Sequence, residues 1–228
     1  MNCLWCDEAI IPSITWKTIV PLTEPMYLCP ACTKELTVLQ GGRCRKCSRM
    51  SRKDLCVDCE RWQSNWSNGR DPLEWNISVF QYNDWMQEVI SRWKYRGDYC
   101  LGKAFLPEYQ RVFRQHFSFL PSNTAIVPIP LSEERLRERG FNQAELLADC
   151  LPRQTDQVLK RIHGEKQSKK TRLERLTGKN PFKVTQTVNN PVVLADDIYT
   201  TGTTLRHAAS VLKQNGCPKI YALTLVRG

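Results

Sequence analysis

An α/β domain standing behind a small cysteine-rich module is the architecture that this sequence of 228 residues predicts. Three observations carry it. Eight of the eleven cysteines fall into four CxxC pairs before residue 60. Beyond residue 76, short apolar runs alternate with stretches of helical periodicity. Near the end, residues 192–204 read VVLADDIYTTGTT, an apolar run, an acid pair and a hydroxyl-rich turn that opens a helix.

The cysteine pairs are Cys3/Cys6, Cys29/Cys32, Cys44/Cys47 and Cys56/Cys59. The N-terminus, MNCLWCDEAI, lacks the basic flank and apolar core of a secretory leader, and no run approaches the ~20 apolar residues of a membrane span. A cytoplasmic protein is therefore expected. In a reducing compartment paired CxxC knuckles read as zinc thiolates rather than disulfides. Redox chemistry is the weaker reading, because the four pairs lie outside any βαβ pattern. Two knuckles fill one tetrahedral site, so two Zn²⁺ ions are expected. Nearest-neighbour pairing is favoured, Cys3-Cys6-Cys29-Cys32 and Cys44-Cys47-Cys56-Cys59, and interleaved pairing stays open. Residues 1–66 form this module, which is too small to bury a sufficient core without metal. Cys100, Cys150 and Cys217 are isolated and read as buried or incidental. The formal charge is +10. Two zinc–thiolate centres would bring it to about +6. A basic balance suits nucleic acid, acidic membrane or anionic metabolites, without choosing among them.

The second half of the module carries Arg43, Arg45, Lys46, Arg49, Arg52 and Lys53, with Trp62 and Trp66 close behind. Cations beside aromatics suit single-stranded DNA, where phosphates meet charge and bases stack. The alternative is a solvated surface whose tryptophans pack on the next domain. Residues 67–75 fall in the turn-rich stretch around SNWSNGRDP and read as a linker, leaving 76–228 for the α/β domain.

Within that domain, 77–82 reads as a strand. Asp84 stands where it could cap a helix whose face carries Trp85, Val89 and Trp93, with Gly97 as a stop. A second helix with Phe105, Tyr109, Val112 and Phe113 should run to about His116. Residues 125–129 form a buried-type strand that enters a stiff turn set by Pro128 and Pro130. Arg135, Arg137 and Arg139 follow, and Asn142 with Glu145 resembles a capping box. Further strands are expected at 157–162, 182–188 and 220–226. Residues 160–183, overlapping the first two, are the most basic run of the chain and include Lys160, Arg161, Lys169, Lys170 and Arg172. This run reads as a loop able to close over a polyanion.

The stretch 192–204 is the most informative. Residues 192–195 read as a short buried strand, followed by Asp196 and Asp197. Leu205, Ala208, Ala209 and Leu212 then mark one helix face, and Gly216 its end. Thr200, Thr201, Gly202, Thr203 and Thr204 thus place N–H groups and hydroxyls at a helix N-terminus, which favours an anion. Gly202 lets the backbone approach a phosphate. The two carboxylates suit a ribose diol, directly or through Mg²⁺.

This stretch resembles the phosphoribosyl pyrophosphate (PRPP) loop of type I phosphoribosyltransferases. With KYRGD at 94–98, VPIPLS at 127–132, RERGFNQAELLA at 137–148 and the four knuckles, the chain resembles the ComF family, the competence protein F group, in its ComFC-like rather than its GntX-like branch. The resemblance implies a type I phosphoribosyltransferase fold, a parallel sheet flanked by helices, behind a zinc-ribbon module. It implies Asp196 and Asp197 as the catalytic pair holding ribose or Mg²⁺, with Thr200 to Thr204 on the 5′-phosphate. It places a pyrophosphate loop at Ile129, Pro130, Leu131 and Ser132, backed by Arg135 and Arg139. It also implies natural transformation, single-stranded DNA as cargo, and a helicase-like ATPase, ComFA, as partner.

Three function classes follow. The chain is a DNA-handling adaptor with a PRPP-type pocket, or a Mg²⁺-dependent transferase acting on a nitrogenous or DNA-linked acceptor, or a PRPP-responsive nucleic-acid-binding regulator. No acceptor-binding hood is recognisable, which weighs against the second.

Overall fold

The computed structural model describes residues 1–11, 25–66, 70–95, 97–162 and 180–228. Lys169, Lys170, Arg172 and Arg96 lie outside the described residues. In chain order the helices are α1 (Pro30–Glu35), α2 (Val57–Asn65), α3 (Asp84–Tyr95), α4 (Leu106–Phe117), α5 (Glu133–Arg139), α6 (Gln143–Asp149) and α7 (Thr203–Gln214). The strands are β1 (Asn76–Gln81), β2 (Ala125–Pro128), β3 (Leu159–Arg161), β4 (Phe182–Val184), β5 (Val192–Tyr199) and β6 (Ile220–Arg227).

Four strands make one parallel sheet in the order β1-β6-β5-β2, and β3 pairs with β4 as an antiparallel ribbon. The central strands are apolar on both faces because both faces are covered. Side chains alternate along them. Val193, Ala195, Tyr221, Leu223 and Leu225 pack with Trp93, Phe105, Tyr109 and Phe117 of the α3–α4 layer. Val192, Leu194, Ile220 and Ala222 pack with Leu205, Ala208, Ala209 and Leu212 of α7 and with the cysteines at 44, 47, 56 and 59. The Tyr109 hydroxyl is buried and donates to the Leu223 carbonyl at 3.0 Å.

Several expectations are corrected. The cap of α3 is Asn83, whose Oδ1 accepts from the Met86 N–H at 2.7 Å, and Asp84 is the first helical residue. There its charge still favours the positive end of the dipole. Phe105 closes a 3₁₀ turn, Tyr99–Phe105, rather than lying in α4. The strands expected at 157–162 and 182–188 shrink to three residues each. The acid pair lies inside β5 rather than after it. The ladder to β6 persists there, pairing Asp196 with Thr224 and Ile198 with Val226.

The stretch expected as a linker is packed from Asp71 onward. Leu73 is buried, and the Glu74 N–H donates to the Ile220 carbonyl at 2.8 Å. Asp71 Oδ2 accepts from Arg206 Nε at 3.0 Å and Nη2 at 2.8 Å, with the two side chains 3% and 1% exposed. Asp71→Ala leaves that guanidinium without its counter-charge. It should cost about 3–5 kcal/mol, read as a lower urea midpoint at unchanged m-value.

The cysteine module lies along the sheet. Val38 bridges Phe80, the Leu39 N–H donates to the Val79 carbonyl at 2.9 Å, and the Gln81 N–H donates to the Thr37 carbonyl at 2.8 Å. Residues 37–39 therefore cover the outer edge of β1.

Candidate metal centres and anion cleft

The thiols gather as nearest neighbours. The Sγ atoms of Cys3, Cys6, Cys29 and Cys32 lie within 4.8 Å of one another, and so do those of Cys44, Cys47, Cys56 and Cys59. The Cys6–Cys29 and Cys47–Cys56 separations are 3.7 and 3.6 Å. Four thiolates at ~2.3 Å from a tetrahedral ion would stand about 3.8 Å apart, so both clusters fit Zn²⁺. The two centres repeat one local design. Cys3 and Cys44 each accept at the carbonyl from the residue four on, Asp7 and Ser48, at 3.0 Å. Those two residues are left-handed, with φ of 62° and 61°. Their short polar side chains make this conformation accessible. Cys29 and Cys56 are the N-caps of α1 and α2. At the second centre, hydrogen bonding from Cys59 holds the Cys47 thiol down to about 4 against burial, and Arg227 adds to it.

A cleft of about 360 Å³ opens at the C-terminal end of the sheet. Asp196, Asp197, Thr200 and Thr204 line one side, and Ile129, Pro130, Leu131, Arg135 and Arg139 another. The expected residues thus converge, with differences in detail. Ser132 is instead the cap of α5, accepting from the Arg135 N–H at 3.3 Å. Thr201 and Thr203 turn their hydroxyls on each other at 2.9 Å. Gly202 caps α7 at φ 77°, and a Cβ there would collide with the Tyr199 hydroxyl and Arg206. Packing of this loop therefore needs glycine, independently of any ligand. Asn142 caps α6 through the Ala144 N–H at 3.1 Å and also donates to the Ile129 carbonyl at 3.1 Å, tying the proline turn to that helix.

The two acids differ. Lys94 Nζ meets Asp197 Oδ2 at 2.5 Å in a mostly buried pair. Asp196 Oδ1 accepts from the Asp197 N–H at 2.9 Å. Burial, and then the Asp197 charge, push the Asp196 carboxyl up to about 7, against the pull of Lys94 and Arg161. Lys94, Tyr95, Gln143 and Arg161 also line the cleft and were not singled out as site residues from the sequence. Lys94, Tyr95 and Gln143 lie in the quoted motifs and Arg161 in the basic run, in each case without a role. Arg139 Nη1 donates to Gln143 Oε1 at 3.0 Å, and its guanidinium lies 5.4 Å from the Tyr95 ring centroid.

The basic residues of the module divide. Lys46 donates to the Leu73 and Glu74 carbonyls at 3.4 and 2.6 Å, and Arg43 reaches the Leu39 carbonyl and His116. Arg45 pairs with Asp54 and Arg49 with Asp58. Arg52 and Lys53 are exposed. Trp62 takes the packing alternative: its Nε1 donates to the Thr201 carbonyl at 2.9 Å and its ring lies 4.6 Å from the Arg206 guanidinium.

An acid pair late in a central parallel strand, followed by a hydroxyl-rich loop that opens a helix, is here joined to two tetracysteine clusters. No family model matches the chain. It is 39% identical to competence protein ComFC of Bacillus subtilis, over 99% of this chain and 94% of that protein. It is 30% identical to DNA utilization protein YhgH of Escherichia coli, over 90% and 99% of the two chains. The chain belongs to the ComF family, the competence protein F group. Among solved structures, a hypoxanthine phosphoribosyltransferase from Staphylococcus aureus aligns at a TM-score of 0.35 and 14% identity, over 55% of this chain and 64% of that one. Among the described residues, no helix is long and apolar enough to cross a membrane.

Proposed function

We propose that this protein handles single-stranded DNA during DNA uptake and carries a PRPP pocket in the cleft beside Asp196. The observation that carries the pocket is one cleft that gathers cations, hydroxyl donors and an acid pair. Arg135, Arg139 and Arg161, Thr200 and Thr204, and Asp196 with Asp197 all line it. PRPP offers the matching groups: a pyrophosphate, a 5′-phosphate and a diol. Asp196 and Asp197 would hold the diol or Mg²⁺. Bound Mg²⁺ would neutralise pyrophosphate charge, and the chain's own arginines would orient the group by paired N–H donors. The names of the relatives, competence protein and DNA utilization protein, support the DNA role. Arg45, Arg49, Arg52 and Lys53 are the module's exposed candidates for phosphate contacts, and a ComFA-like ATPase is the proposed partner.

One observation favours the transferase reading. Tyr95 is 69% exposed and lines the cleft, offering a flat ring to a planar acceptor where no hood was legible.

Titration of fluorescent single-stranded DNA against zinc-loaded protein, with and without Mg²⁺-PRPP, tests the proposal. Affinity should fall about tenfold or more between roughly 50 and 200 mM salt, as a few phosphate contacts require. Salt-independent binding, or none, would overturn the DNA reading. PRPP-dependent pyrophosphate release on adding DNA or a free base would identify the transferase.

A further inference from the structure

The second tetracysteine centre and the phosphate loop share a wiring that the first centre lacks. Three successive carbonyls, those of Tyr199, Thr200 and Thr201, are held by donors from outside the loop. Arg227 Nη1 donates to Tyr199 at 3.0 Å and to Thr200 at 3.2 Å. Trp62 Nε1 donates to Thr201 at 2.9 Å. Arg227 is 6% exposed, its guanidinium lies 4.8 Å from the Tyr199 ring centroid, and its Nη2 reaches Cys47 Sγ at 3.8 Å. Trp62 stands on α2, the helix that Cys56 caps and that contains Cys59. Both donors are thus anchored to ligands of one centre. The first centre packs instead with Trp5, Leu36 and Trp85.

A trans peptide unit is planar, with its C=O and N–H pointing to opposite sides. Fixing three carbonyls therefore fixes the following N–H groups of Thr200, Thr201 and Gly202 on the opposite side. The loop's N–H direction is what a phosphate would read.

We propose that the second tetracysteine centre positions the phosphate loop, with Arg227 and Trp62 as positioning residues, so that metal at this centre sets affinity for the phosphorylated ligand. This rests on the PRPP reading for its ligand, though the wiring does not. Linkage makes the effect reciprocal: ligand in the cleft tightens metal binding at the second centre and leaves the first unaffected.

The test uses the full zinc-loaded chain and three variants, Cys29→Ser, Cys47→Ser and Trp62→Phe. The last keeps an aromatic ring against Arg206 and removes only the donor to Thr201. Amide hydrogen exchange over residues 200–205 is followed without ligand, zinc content is assayed, and Mg²⁺-PRPP affinity is read by calorimetry. Exchange at the loop should accelerate about tenfold in Trp62→Phe, the effect of losing about one hydrogen bond, by at least that much in Cys47→Ser, and stay near wild type in Cys29→Ser. Affinity should weaken in parallel, while Trp62→Phe retains both zinc ions. Equal acceleration in the two cysteine variants, or wild-type exchange in Trp62→Phe, would overturn the proposal. If wild-type protein does not bind PRPP, the pocket reading falls, and the exchange comparison still decides the coupling.

Discussion

Asp196→Asn is expected to weaken Mg²⁺-PRPP binding at least about a hundredfold and, at pH 8, to make the protein more stable. Both effects come from one environment. Asp196 sits among apolar strand residues beside a second carboxylate, and its carboxyl is raised to about 7. In the unfolded chain it would titrate near the usual ~3.9. Below about pH 4 both states hold the proton and the group costs nothing. As pH rises towards 7, the unfolded chain releases its proton first, so folding stability declines. Above 7 the full penalty applies, on the order of 2 kcal/mol once solvent access is allowed for. Asparagine removes that charge and keeps an oxygen for the Asp197 N–H. It also removes the charged acceptor a ribose diol or Mg²⁺ would use, and charge-assisted bonds contribute about 1.5–3 kcal/mol each. Thermal midpoints at pH 4 and pH 8, with calorimetry at pH 8, check both. Normal PRPP binding by the variant would sink the assignment of the acid pair. For wild type, binding should tighten from pH 6 to pH 8 and release a proton, measurable in buffers of different ionisation enthalpy.

Metal removal should have the larger structural effect. Two zinc ions per chain are expected, and a structural Zn²⁺ in small modules is worth about 10–16 kcal/mol of apparent folding free energy at neutral pH. The two centres should fail differently. The first is a small apolar cluster of its own, with Cys3, Ile10, Leu28, Cys29 and Cys32. The cysteines of the second share a cluster with Leu194 and Ala222 of the central strands. Chelator titration followed by circular dichroism and metal analysis should show local loss of the first centre, then a cooperative collapse with the second. A thermal midpoint unchanged after both ions are stripped would contradict this.

How much was legible depended on whether a residue's partner was local. Knuckle order favoured the nearest-neighbour cysteine grouping that the structure shows, and the α7 face was legible from its spacing, which is written over a short distance. The acid pair misled about the end of β5. Carboxylates look like loop residues until β6 is seen to carry the ladder past them. Asp71 looked like a turn residue amid Ser, Asn and Gly, since nothing nearby announces Arg206 as its partner. Lys94 stood in a motif without a role until the fold brought it to Asp197. Trp62 fitted two readings, and only tertiary structure chose. The polar pairs that local reading missed are long-range, and one of them, Lys94–Asp197, lines the cleft.

The seam between residues 37–39 and β1 bears on how such a chain can be taken apart. An outer strand presents unpaired N–H and C=O groups that invite pairing with another copy. Here that rim, NISVFQ, is short, rich in β-forming residues and shielded by backbone lying between two thiol clusters. Trimming away the first 66 residues would bare it, and a fragment from residue 76 onward would be prone to edge-to-edge aggregation. The metal-bearing segment is thus a selvedge for the sheet, and the catalytic-looking half is not a portable unit that can be grafted without it.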